Sequence, residues 1–248
     1  MNDNTYTLMY AAIVCFICSF LLSLFAVGLQ PAQREAATID LYRNILTVFG
    51  FEGASMSKED VKSTFQNSIK QIVIDKQGKS YPDLKFSDVS ADQKCELLYT
   101  KFPSSSDDCK LSVYSKVDTN GIASAYAIPL EGKGLWSTLY GYLALENDGN
   151  TILGITFYKH GETPGLGAEI SQPWFAENFK GKKLLDQSGS LASVKVYKGK
   201  AKDSGLPEDH VVDGISGATI TADGVTDLLL HCTKVFDPFL ATIRKAGA

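Results

Sequence analysis

The chain has 248 residues, a formal net charge of −4 and a sequence pI near 5.4. This balance excludes an electrostatic case for nucleic acid as a partner, and the length suits one sizeable domain with an anchor, or two small domains. The 21 Gly, 11 Tyr and 13 Phe suit a β-containing domain with many turns.

The first element in chain order is apolar. No charged residue lies between Thr5 and Ala32, and Tyr6–Leu29 exceeds the roughly 20 residues that cross a bilayer core. Two tyrosines at its front edge suit the headgroup region. A cleaved signal peptide, cut near Ala26 and Gly28, is the competing reading. No Lys or Arg precedes the apolar core, however, and the core is too long. Residues 1–32 are therefore predicted to be a retained transmembrane anchor. The first cations, Arg34 and Arg43, follow it and by themselves would leave the bulk of the chain in the cytoplasm. Two residues are a weak signal, because large domains translocate largely regardless of charge. Cys15 and Cys18 lie inside the span with no other thiolate or His nearby. They are predicted to be small apolar membrane residues, with no metal held by this chain; a site completed by a partner protein stays open.

Residues 33–75 are predicted to be a helical connector. A helix carries Ile39, Leu41, Ile45, Leu46, Val48 and Phe49 and ends at Gly50. A second starts at Ser57, with Asp60 three residues on, and places Val61, Phe65, Ile69 and Ile72 on one face. Residues 76–110, polar and containing "FPSSSDD", are predicted to be a surface insertion of weak structure. Within it Cys95 and Cys109 are expected to pair as a disulfide, which would place the domain in an oxidising compartment; two unpaired thiols are the alternative. Cys232 is expected in a core.

The main domain is predicted over residues 111–248. "KLSVYSKV" and "IASAYAIPLEG" are strands, and "WSTLYGYLALENDGNTILGITFYKH" holds two more around the hairpin signal Asn147–Asn150. A short helix over "AEISQPWFAENFKGKKL" and a strand over Ser193–Gly199 follow. The closing helix repeats Val225, Leu228, Leu229, Cys232, Val235, Phe236, Phe239, Leu240 and Ile243 at spacings of three and four. The predicted fold class is α+β: an antiparallel sheet with packed helices, behind one N-terminal transmembrane helix.

Just ahead of that helix stands "DGISGATIT", Asp213 to Thr221. Thr219 or Thr221 could cap the helix. Ser216 in "GISGA" comes near the nucleophile turn of α/β-hydrolases. The residues that would have to serve it, Asp223, Asp227, His231 and Asp237, lie on one helix and cannot converge on it. A third reading is cofactor attachment. A helix N-terminus suits a phosphate, small residues let the backbone approach it, and a Thr hydroxyl could carry it as an ester. Another enzyme would have to make that bond, because nothing in the chain activates the hydroxyl.

"DGISGAT" resembles the flavinylation motif of the FMN-binding domain family, in which the final Thr bears FMN through a phosphoester. By that match the attachment residue is Thr219. "HGETPGLG", His160 to Gly167, resembles the family's flavin-facing loop, and "GKGLWS", Gly132 to Ser137, is also similar to it. With the anchor, the length and the order of segments, the chain resembles the C-subunit family of the Na+-translocating NADH:quinone oxidoreductases. The usually shorter G-type counterpart in the ion-translocating ferredoxin:NAD oxidoreductase complex is the runner-up. A membrane-anchored binding domain without a redox role is the alternative of a different class.

The resemblance implies covalent FMN on Thr219, with Ser216, Gly217, Ala218, Glu162, Thr163, Gly165, Leu166, Gly167 and Trp136 around it. Pro164 fixes a turn and the glycines open the backbone, so that N–H groups can reach flavin heteroatoms. Glu162 and Thr163 offer polar contacts and Leu166 an apolar face. Trp136 either stacks on the ring or packs in the core. His160 is expected to end a strand, and His210 and His231 to be structural or exposed. The resemblance also implies an electron carrier with no catalytic residues of its own, taking electrons from an iron–sulfur centre and passing them to another flavin. Its partners would be the other membrane and flavin subunits and a flavin transferase for maturation. Its place would be the cytoplasmic (inner) membrane, with the flavin domain on the periplasmic side. That side opposes the Arg count and agrees with the expected disulfide.

Overall fold

Apolar side chains project outward on every side of the first helix from Tyr6 to Leu29. In the computed structural model, which describes residues 3–53, 55–95, 97 and 109–246, α1 runs Asp3–Val48 without interruption and carries Pro31 inside it. Leu8, Phe16, Leu22 and Phe25 are all exposed. A helix apolar on every side has no water-facing stripe, and this one is long and apolar enough to cross a bilayer. It stops at Val48, and Gly50 takes the left-handed conformation, φ 86°, that ends helices. The chain divides into two compact units, Met1–Tyr42 and Arg43–Ala248. The first is helical; the second holds the last turns of α1 and everything after them.

Helix α2, Lys58–Ser68, begins as its sequence predicts. The Ser57 hydroxyl accepts the Asp60 N–H at 3.2 Å and donates to the Asp60 carboxylate at 2.8 Å. The predicted continuation of this helix through Ile72 is wrong. Ile69–Asp75 is strand β1, paired along its whole length with β3, Lys110–Val117. Ile69, Ile72, Val73 and Ile74 are β-branched, which costs a helix side-chain freedom and suits a pleated surface; the available partner strand decides the matter.

Six strands form one antiparallel sheet in the order β2-β1-β3-β4-β5-β6. The others are β2 Ser80–Tyr81, β4 Ala123–Lys133, β5 Thr138–Glu146 and β6 Ile152–Lys159. The β5–β6 hairpin turns where predicted: the Asp148 carboxylate accepts the N–H groups of Asn150 and Thr151 at 2.9 and 2.8 Å, and Gly149 sits at φ 61°.

The closing helix, labelled α4, spans Thr219–Ala246 and packs on one face of the sheet. Val225, Leu228, Leu229, Cys232, Phe236 and Leu240 share a core with Ile128, Leu130, Leu143 and Leu145. Close approach depends on Gly132, where a Cβ would stand 2.6 Å from the Leu228 Cβ. On the opposite face, Phe65 of α2 meets Tyr114 edge-on at 6.3 Å, and the Lys116 ammonium reaches the Phe49 carbonyl.

Two predicted elements shrink. "AEISQPWFAENFKGKKL" contains only α3, Pro173–Glu177, preceded by a 3-10 turn over Gly167–Ser171. Gln172 is extended at φ −80°, ψ 145°, because the proline ring after it disfavours helix. The strand expected over Ser193–Gly199 is reduced to β7, Lys195–Val196. It pairs in parallel with β8, Val211–Val212, a second small sheet that the pattern did not reveal. In the insertion, "FPSSSDD" lies outside the described residues. Cys95 and Cys109 are disulfide-bonded, with Cα atoms 4.9 Å apart, and Cys232 is buried.

The bridge closes a loop with a sequence separation of 14, which restricts the unfolded chain by about 3 kcal/mol. The double variant Cys95→Ser, Cys109→Ser is expected to lose stability of that order, measured as a lower denaturant midpoint at unchanged slope.

Candidate functional site

Three segments far apart in sequence meet at one side chain. Gly132–Ser137 turns the chain from β4 into β5, with the Gly134 N–H donating to the Ser137 carbonyl at 2.8 Å. His160–Gly167 leaves β6; the Thr163 carbonyl accepts N–H groups from Leu166 and Ala168, both at 3.1 Å, and Gly165 sits at φ 73°. Asp213–Thr221 leads into α4. The Glu162 side chain joins all three and is 5% exposed. Its Oε1 accepts the N–H groups of Trp136 at 3.0 Å and Ser137 at 3.3 Å. Its Oε2 accepts the Leu135 N–H at 3.2 Å and the Thr221 hydroxyl at 2.6 Å. A carboxylate has about four acceptor positions, and all are used. The fit excludes side chains on two neighbours. A Cβ on Gly134 would come 2.6 Å from Oε1, and one on Gly167 would come 2.6 Å from the Thr221 Oγ1.

Burial pushes the Glu162 carboxyl upward. The Thr221 hydroxyl and the N–H groups of Trp136, Leu135 and Ser137 outweigh that push and hold it below its ordinary value of 4.5. Glu162 is therefore an anion at neutral pH, held by charge-assisted hydrogen bonds. It is not the free polar contact that the sequence suggested; its oxygens are committed to the protein.

The head of α4 is arranged differently from the capping expectation. Ala218 precedes the helix, and its carbonyl accepts the Ala222 N–H at 3.0 Å. An alanine side chain cannot cap. Thr219 is already the first helical residue, and the Thr221 hydroxyl, in a residue 1% exposed, is turned to Glu162. Among the described residues no side chain caps the first N–H groups of α4, a place suited to an anion. Thr219 is half-buried, and its hydroxyl makes no hydrogen bond among the described residues. Ser216 and Gly217 are exposed and Ala218 is buried.

Beside this helix head stand apolar side chains in the open. Trp136 is 71% exposed, which excludes core packing for it; Leu135 and Leu166 are also exposed. Leu166 touches Gly217, where a Cβ would come 3.0 Å from its Cδ2. Thr163 and Gly165 are exposed and Gly167 is buried. A ligand that joins a phosphate to a flat, largely apolar ring fits this combination: the phosphate at the helix head, the ring on the exposed Leu and Trp.

Sequence reasoning missed the supports. Asp213 accepts the Ala201 N–H at 2.7 Å and pairs with Lys200 at 2.8 Å; these bonds, in that order, hold its carboxyl below the ordinary value. Gly214 donates to the Gly199 carbonyl at 2.9 Å and passes against the Tyr197 carbonyl where no Cβ fits. The Asp-Gly pair was the available signal. Leu135, Ser137 and Thr221 had none, because their role is set by a residue far away in sequence. His160 follows β6, its Nδ1 accepting the Glu162 N–H at 3.3 Å. His210 lies 3.1 Å from the Ser193 carbonyl. Asp223, Asp227, His231 and Asp237 all lie on α4, and His231 stands about 18 Å along the axis from its start, too far to serve Ser216 as a base.

Thr221→Val removes one donor from a buried anion and is expected to cost about 1–3 kcal/mol at pH 7 by denaturant titration. Because the folded Glu162 carboxyl lies below its unfolded value, its contribution is complete above pH 4.5 and is lost as pH falls through the lower folded value. The gap between wild type and Thr221→Val should therefore narrow on acidification below that pH.

The FMN-binding domain family matches residues 134–234, which takes in most of "GKGLWS" and all of the other two site segments. A relative from Pseudomonas aeruginosa, the C subunit of the Na(+)-translocating NADH-quinone reductase, is 39% identical over 100% of this chain and 98% of its own length. The protein of that name from Yersinia pestis is 33% identical over 99% of this chain and 96% of its own. Among solved structures, the C subunit of the reductase from Parabacteroides distasonis superposes with a TM-score of 0.69 at 30% identity, covering 86% of this chain and 96% of that one. The Shewanella oneidensis protein gives 0.69 at 29% identity, covering 86% and 99%.

Proposed function

The chain belongs to the C-subunit family of the Na+-translocating NADH-quinone reductases, and from that premise we propose that it carries FMN as a phosphoester on Thr219 and relays electrons within the complex. The observation that carries the reading is the difference between the two threonines of "ATIT". The Thr221 hydroxyl is committed to Glu162, whereas the half-buried Thr219 hydroxyl, at the head of α4, has no hydrogen-bond partner among the described residues.

Bound FMN supplies one- and two-electron chemistry; the chain supplies position and surroundings. The N–H groups and positive end of α4 hold the phosphate. Leu166 and Trp136 would give the ring an apolar surface. Ser216, Gly217 and Ala218 keep the approach to the helix head free of bulk. The ester tether keeps FMN from being lost. In this reading a flavin transferase makes the ester, because the Glu162 carboxylate beside the site already uses both oxygens as acceptors for protein donors.

The donor in this reading is an iron–sulfur centre near the membrane and the acceptor another flavin, with sodium export and quinone reduction in other subunits. α1 anchors the chain by a single crossing of the inner membrane, with the flavin domain on the periplasmic side. The Cys95–Cys109 disulfide supports that side, since such bonds persist in oxidising compartments.

Intact-mass measurement of the chain matured with its flavin transferase is expected to show one added FMN, mapped to the peptide containing Thr219. Thr219→Ala should carry none and lose the fluorescent band on a denaturing gel, while Ser216→Ala keeps it. A flavin on any other residue, or none on the wild-type chain, would sink the reading.

A further inference from the structure

We propose that Glu162 is a redox-tuning positioning residue: a fixed negative charge beneath the flavin cradle that lowers the reduction potential of bound FMN. The inference rests on the FMN reading above and adds a property of this chain's own residues.

The charge is not cancelled where it sits. Four hydrogen bonds reach the carboxylate, three from backbone N–H groups and one from a hydroxyl. All four donors are dipoles, and no described residue forms an ion pair with Glu162. Burial makes a bare charge act farther, because little water screens it.

The charge also sits in the right place. Thr221, bonded to it at 2.6 Å, is two residues from Thr219. Leu135 and Trp136, whose side chains are exposed, give it their backbone N–H groups. Gly167 packs against both it and Thr221, next to exposed Leu166, which in turn touches Gly217. The turn that carries Leu135 and Trp136 is thus built directly on the carboxylate, and the loop that carries Leu166 and the head of α4 adjoin it. Each electron delivered to bound FMN adds one unit of negative charge unless a proton follows. A like charge held within the cradle would oppose that step and make the reduced carrier the stronger donor. The uncapped head of α4 acts oppositely, but on the phosphate.

The test uses the full-length flavinylated chain in detergent and potentiometric titration followed by visible absorbance. Glu162→Gln removes the charge and is expected to raise the midpoint potential. Thr221→Val loosens the same clasp, keeps the charge, and is expected to stay near the wild-type midpoint. An unchanged midpoint in Glu162→Gln overturns the inference. So does an equal rise in Thr221→Val, which would make clasp geometry, not charge, the cause. If Glu162→Gln does not fold, the wild-type chain labelled with 13C-glutamate serves. Its oxidised-minus-reduced infrared spectrum should contain a label-sensitive carboxylate band, and the absence of one overturns the inference. A wild-type chain without FMN would instead reject the Thr219 reading, an outcome separate from an unshifted midpoint in flavinylated protein.

Discussion

A buried carboxylate without a counter-ion must collect a full set of hydrogen-bond donors, and this requirement organises the site around Glu162. Its donors come from residues 135–137, 26 positions upstream at Trp136, and from Thr221, 59 positions downstream. The turn after β4, the loop after β6 and the first turn of α4 are thereby fixed to one another. An apolar side chain at the same point could fill the space. It would leave three backbone N–H groups and a hydroxyl buried without acceptors, a larger loss than the desolvation of one satisfied anion.

The clasp works because the long helix is already held. α4 contributes its apolar stripe to the core and its first turn to the site, so the burial that anchors Leu228, Leu229 and Phe236 also fixes where Thr219 and Thr221 stand. Each such side chain contributes about 1.5–3 kcal/mol by burial. Glycine permits the approach at two levels: Gly132 lets β4 lie against Leu228, and Gly134 lets the following turn lie against Glu162. The rigid support then allows Leu135, Trp136 and Leu166 to remain exposed without collapsing inward.

Much of this was legible in residue patterns. The α4 stripe, the Asn147–Asn150 turn, the Ser57 cap and the apolar span each depend on residues close in sequence, and each stands where predicted. The three site segments could be picked out because they resemble segments of the FMN-binding domain family, and small and turn-forming residues mark two of them. Their mutual arrangement could not. Glu162 looked like a polar group facing a ligand and is instead turned inward, and Thr221 looked like a cap and is a donor. Nothing in the immediate sequence around either distinguishes the two outcomes.

The sequence by itself determined which stretches are apolar, which are periodic and which must turn, since those properties reside in local residue chemistry. Tertiary structure decided the rest. Ile69–Asp75 became a strand because β3 lay open to pair with it, and Val211–Val212 acquired a parallel partner in Lys195–Val196. Of two threonines in "ATIT", the one held by the carboxylate was separated from the one left free by contacts spanning dozens of residues. Hydrogen bonds and close packing between distant segments carry no local signature, so they appear only once the chain has brought those segments together.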